Sequence, residues 1–173
     1  MRAIVYTSNT GSTEKYAKML SHQIVVPVYS MKEAKKMLKP GAEIIYMGWI
    51  MAGKIKGYPE AVRKYRIQAV CGVGMGQTGT GLKEARDKNK IPQNIPLFTL
   101  QGTFDIKKLH GVYKMMMNVM VKTAGKALAD KSDRTPEDDD MLDMMLNGSE
   151  RVKAENLKYI IDWYDTAERG GKY

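Results

Sequence analysis

The chain has 173 residues, 43% of them hydrophobic, and a formal net charge of +9, which suits one domain with a substantial core. A single cysteine, Cys71, excludes an internal disulfide framework, and two histidines argue against a zinc site. No apolar run approaches the roughly 18 residues of a membrane span, and no long apolar signal region precedes the first charges, so the sequence predicts an intracellular, cytoplasmic protein.

Residues 3–6, Ala-Ile-Val-Tyr, have the pattern of a short strand, and a helical pattern opens near Glu14. Between them lies Thr7-Ser8-Asn9-Thr10-Gly11-Ser12-Thr13. A strand feeding a hydroxyl-rich turn that opens a helix makes an anion site, because the first helical amides lack internal partners and carry the positive end of the dipole. Ser8, Thr10, Ser12 and Thr13 add donors, and Gly11 permits a positive φ. No lysine sits in the loop, against a nucleoside triphosphate site, and one glycine is too few for a dinucleotide turn. What remains is a site for one terminal phosphate held by neutral donors, or a plain Ser/Thr turn with an N-cap.

Tyr16, Ala17, Met19 and Leu20 space an apolar helix face, and residues 23–28 predict a second strand. A short helix follows at 31–38, ended by Lys39-Pro40-Gly41, then a third strand at 43–48 and a helix at 59–65. Residues 68–74 predict a fourth strand, 81–88 a helix and 96–100 a fifth strand. Such alternation specifies parallel βαβ units in a sheet covered on both faces, with ligands bound at the carboxyl ends of its strands. The third strand empties into a segment running from Trp49 to Gly57, and the fourth into one from Met75 to Gly81. Trp49 offers a face for stacking a flat ring or serves as a rim tryptophan. The glycines of 72–81 either bring backbone groups close to a ligand, with Gln77 and Thr78 as side-chain partners, or form a flexible turn.

Residues 103–150 form a long insertion, and it has a helical pattern of its own. Leu109, Val112, Tyr113, Met116, Met120, Ala124 and Leu128 keep helical spacing, while Lys107, Gly111, Lys114, Asn118, Lys122 and Lys126 make a narrow polar stripe. No acidic residue occurs from 106 to 129. Such a helix packs within the protein, lies on a membrane surface, pairs in a homodimer or lines a groove for an apolar substrate. Thr135-Pro136-Glu137-Asp138 marks a second helix start, followed by Met141, Leu142, Met144, Met145 and Leu146. A final helix is predicted at 151–164, with Leu157, Ile160, Ile161 and Tyr164 on one face, before a loose tail at 170–173.

Ser8, Asn9, Thr10, Gly11, Ser12 and Thr13 fill in order the Ser/Thr-x-Thr-Gly-x-Thr phosphate loop of flavodoxins, and the chain resembles that family. The resemblance implies an α/β, flavodoxin-like three-layer sandwich whose five-stranded parallel sheet has the order 2-1-3-4-5. It implies one domain over 1–173, with the helical insertion at 103–150, and FMN as cofactor. The flavin ring is then expected between Trp49, Ile50, Met51, Ala52 and Gly53 on one side and Gly74, Met75, Gly76, Gln77, Thr78 and Gly79 on the other, with Lys54 and Lys56 beside it. The chain departs from the family in having no aromatic residue in the 75–81 segment and in its basic charge. Residues 1–128 hold 21 Lys/Arg against 7 Asp/Glu, whereas 129–173 hold 7 against 12. From Gly102 through the Met-rich helix to Gly125, the insertion resembles that of the flavodoxin-type, quinone-dependent protoporphyrinogen oxidases, and the helix carrying Asp162-Trp163 closes both kinds of chain.

The implied activity is FMN redox chemistry, in a carrier that docks to a redox partner protein. Alternatives are an FMN-dependent oxidoreductase acting on an apolar substrate or quinone, and a flavin-free interaction protein of the same fold. One-electron transfer needs no metal and no protein nucleophile. Nucleic acid is not an expected partner, since no recognition motif accompanies the basic charge; peripheral membrane contact through the inserted helix and a homodimer both are candidates.

Overall fold

The computed structural model describes residues 2–103, 105, 107, 109, 111–148 and 150–170. Most of the expected tail, residues 171–173, lies outside the described residues. Strand β1 (Ala3–Thr7) leads into α1 (Ser12–Ile24), followed by β2 (Val28–Ser30), α2 (Met31–Met37) and β3 (Glu43–Met51). Then come β4 (Lys54–Ile55), α3 (Tyr58–Lys64), β5 (Arg66–Gly74), α4 (Leu82–Asn89) and β6 (Leu97–Gln101). The insertion carries α5 (Gly111–Ala129) and α6 (Pro136–Asn147), and α7 (Lys158–Gly170) closes the chain.

The main sheet runs β2-β1-β3-β5-β6 with every neighbour parallel, and β4 pairs antiparallel with the end of β3. Alternation along the strands builds two cores. Val5, Ile44, Tyr46, Ile67 and Val70 face α2, α3 and α4 through Ala34, Ala61 and Ala85. Ile4, Ile45, Met47, Ala69, Cys71 and Leu100 face α1 through Tyr16 and Leu20, and α7 with the residue before it through Ile160 and Leu157. Helices therefore cover both faces, as a wholly parallel sheet requires. A shift in register between Ile44 and Ile45 leaves Gln68 as the extra residue of β5.

Three expectations about elements are corrected. The strand expected at 23–28 is not formed; α1 continues to Ile24, and Val25 ends it in the left-handed region at φ 53°. Ile24 completes the buried stripe of Tyr16, Ala17 and Leu20, so the helical period wins over the apolar run. Strand pairing begins only at Val28, opposite Ile4. The segment expected as a loop from Trp49 is instead the end of β3, a two-residue turn at Ala52 and Gly53, and β4. Both turn residues have positive φ, 50° and 77°, as a two-residue hairpin loop demands. The last helix begins late: a 3-10 turn at Ala154–Leu157 precedes Lys158, where 151–164 was expected to be continuous.

The insertion is fastened at its base. Glu150 accepts from Thr103 Oγ1 at 2.7 Å and pairs with Lys15 of α1 at 2.8 Å. Asp140 of α6 accepts from Gln101 Nε2 at 3.1 Å and pairs with Arg151 at 2.7 Å. Beneath these contacts the buried Tyr16 hydroxyl donates to Gln101 O at 2.6 Å and accepts from Asn156 Nδ2 at 2.6 Å. Thr135 caps α6, as the sequence predicts, and the structure adds Asp138 as its reciprocal partner.

Candidate functional site

The ends of β1, β3, β5 and β6 open onto a cavity of about 340 Å³. Its polar end comes from Asn9, Thr10, Ser12 and Thr13. The last two of these are almost fully buried. Gly11 is the N-cap of α1, at φ 97°, and supplies no side-chain cap. The first amides of that helix are thus left to whatever the loop encloses, at the positive end of the helix dipole. Ser8 Oγ accepts from the Gly11 amide at 3.2 Å, which shapes the turn from within. Ser12 Oγ accepts from the Thr103 amide at 3.0 Å, fixing the hydroxyl while leaving its own proton for a further acceptor.

The remainder of the cavity is chiefly apolar. Trp49, Ile50, Met51 and Ala52 form one wall, and Val73, Gly74 and Met75 form the floor. Gly72 makes this wall possible: a Cβ there would stand 2.5 Å from Ile50 Cδ1. Gly102, Thr103, Asp105 and Leu109 continue the lining, and Tyr113, Met116, Met117 and Met120 of α5 close it from above. Tyr113 meets Trp49 edge to face, with centroids 5.3 Å apart at 86°. The Lys56 ammonium lies 5.6 Å from the Trp49 centroid and 5.9 Å from that of Tyr113, a cation shared by two rings. Behind β3, the Tyr46 hydroxyl donates to the Lys56 carbonyl at 2.6 Å and sits 2.8 Å from the Thr7 hydroxyl. Burial drives its pKa upward, so this link between β1 and the hairpin stays neutral.

Ten of the residues singled out in the sequence meet in this cavity: Asn9, Thr10, Ser12, Thr13, Trp49, Ile50, Met51, Ala52, Gly74 and Met75. Ser8 and Gly11 shape the loop rather than line it. Gly53 stands at the hairpin tip, where its carbonyl accepts from Asn89 Nδ2 at 2.8 Å. Gly76, Gln77, Thr78 and Gly79 are outside the lining, and β6 holds their segment. The Gly79 amide donates to Thr99 O at 3.0 Å, and Thr78 Oγ1 accepts from the Gln101 amide at 3.1 Å. Lys54 also points away, into a separate groove of about 730 Å³ that it shares with Lys56 and Tyr58. The lining residues from Val73, Gly102, Thr103 and Asp105 were not anticipated. Leu109, Tyr113, Met116 and Met120 belong to the apolar face for which the sequence leaves four placements open, a groove wall among them, and here they line the cavity.

Comparison with protein-family models and with curated proteins finds no match. Cys71 lies in the core on β5, and burial pushes its thiol up, so it stays protonated and away from the cavity. Among the described residues, no group of three or more His, Cys, Asp or Glu could hold a metal ion.

Proposed function

We propose that this chain is a flavodoxin-type redox protein that binds FMN and passes electrons through it. The observation that carries this reading is one cavity uniting the hydroxyl-rich N-terminus of α1 with an apolar slot at the strand ends. The donor set suits the cofactor: neutral hydroxyls and free helix amides for a terminal phosphate, then a mostly hydrocarbon and aromatic lining for a flat ring. The strand order, β2-β1-β3-β5-β6, equals 2-1-3-4-5 once the hairpin strand β4 is set aside, which supports the flavodoxin-like assignment.

Thr10, Ser12 and Thr13 would hold the phosphate, with Asn9 beside them. Trp49, Ile50, Met51 and Met75 would hold the ring, and the role first assigned to Gly76–Gly79 passes to Tyr113 and its neighbours on α5. Bound FMN supplies the ability to take up and release electrons singly or in pairs. The side chains of this site orient it, exclude water through the three methionines of α5, and bring the Lys56 charge near the aromatic wall. A visible flavin spectrum in the purified protein, or on adding FMN to the colourless apoprotein, with reversible bleaching by dithionite, is the expected result. Protein that stays colourless with excess FMN would return the fold to a flavin-free interaction role.

The α5 wall favours a second reading, an FMN-dependent oxidoreductase of the protoporphyrinogen oxidase type acting on an apolar substrate or quinone. Tyr113, Met116, Met117 and Met120 come from an insertion and yet line the same cavity. Turnover of a porphyrinogen with a quinone acceptor supports the enzyme; rapid electron exchange with redox proteins and no such turnover supports the carrier.

A further inference from the structure

Helix α5 keeps large apolar side chains in solvent even though its inner side is committed to the cavity. Val112 is 57% exposed, Met115 63%, Met116 48% and Val119 57%. Positions 112, 115, 116 and 119 are helical neighbours and form one strip. Exposed apolar residues normally occur singly, whereas a contiguous strip with a polar rim marks an interaction surface. Here every charged residue of α5 is a lysine, with the neutral Asn118 among them, while the acids of α6 lie on the neighbouring helix. Lys114 and Lys122 share a shallow depression with Met115, Asn118 and Val119, and the exposed Lys126 lies one turn further on. None of these three lysines has an ion-pair partner among the described residues, and the sequence from 106 to 129 contains no acid.

We propose that this outer face of α5 docks the protein on an anionic lipid bilayer, with the helix axis along the surface. Charge selects the occupant: the lysines meet anionic headgroups while the methionine and valine side chains enter the boundary with the acyl chains. A second copy presenting the same face would set lysine against lysine. The contact is peripheral, since among the described residues no helix is long and apolar enough to cross a membrane. Met116 belongs both to the strip and to the cavity wall, so docking turns the cavity mouth toward the lipid.

The test is sedimentation of the full chain with vesicles of phosphatidylcholine alone and of phosphatidylcholine mixed with phosphatidylglycerol. Binding to the mixed vesicles, weak binding to the neutral ones and release by salt are expected. A lysine near an anionic surface is worth about fivefold in partitioning, so Lys114→Glu with Lys122→Glu should lower binding by more than about tenfold. Met115→Glu with Val119→Glu should lower it as well, with circular dichroism and flavin content unchanged. The conservative pair Lys114→Gln with Lys122→Gln gives the same answer should a charge reversal unfold the helix. Absence of binding to the anionic vesicles, or binding indifferent to all of these variants, overturns the proposal. Self-association in analytical ultracentrifugation that needs Met115 and Val119, without vesicle binding, overturns it in favour of a second copy.

Discussion

Gly11 carries two demands at once, a φ of 97° and open space around its α-carbon, for a Cβ there would meet no protein atom within 4 Å. Gly11→Val therefore meets no steric block in the apoprotein and costs backbone strain, about 1–3 kcal/mol, whose relief would reshape the turn that presents the helix amides to a phosphate. Loss of FMN binding with a cooperative fold intact is expected, and urea unfolding beside flavin titration measures both. Gly72 presents the opposite case. Its Cβ would collide with Ile50, so Gly72→Ala should destabilise by about 1–3 kcal/mol through overpacking and weaken flavin binding by displacing Ile50 from the cavity wall. Retention of wild-type affinity would mean that Ile50 has no part in the site. The loop residues were legible in the sequence because a strand, a hydroxyl run and a helix start are all local features. The role of Gly72 was not, since the side chain it accommodates comes from the neighbouring strand.

The hairpin at the end of β3 is hidden in the sequence because its turn is Ala52-Gly53. Asn or Asp usually announces a turn with two positive φ values; here Lys88 and Asn89 of α4 hold it, donating to Ala52 O at 3.0 Å and Gly53 O at 2.8 Å. The apolar run around Val25 misled for a different reason: period alone does not separate a short buried strand from a helix end. The inserted helix was legible as a helix, but its docking over the cavity depends on contacts 64 residues apart in sequence, Trp49 with Tyr113. Glu150 fastens that insertion, and its pKa is lowered by the hydrogen bond to Lys15 and then by that to Thr103. A carboxylate with a depressed folded pKa contributes stability that is full above its ordinary value of 4.5 and disappears as pH falls through the lower, folded value. Glu150→Gln should thus lower the melting temperature slightly at pH 7, within the small range of half-exposed pairs, with the difference from wild type vanishing in acid. A difference that stays constant between pH 7 and pH 3 would contradict the assignment.

Over the whole molecule, charge separates along the chain, with the basic excess in residues 1–128 and the acidic excess in 129–173. Lys54 and Lys56 both line the neighbouring groove, but Lys56 also carries its charge to within 5.6 Å of the Trp49 ring. A cation beside a partly desolvated site favours added negative charge. Lys56→Glu should accordingly lower the reduction potential of the bound flavin, on the order of tens of millivolts, and Lys54→Glu should lower it less. Anaerobic titration with a reference dye reads both, and equal shifts would remove the special position of Lys56. In the function proposed, the N-terminus of α1 and the apolar slot together recognise a flavin with a terminal phosphate. Titrating the apoprotein with FMN, FAD and riboflavin, followed by flavin fluorescence, tests it most directly. Tight FMN binding and far weaker binding of riboflavin and FAD, with the FMN preference lost in Gly11→Val, is the predicted result; equal affinity for FMN and riboflavin would contradict it.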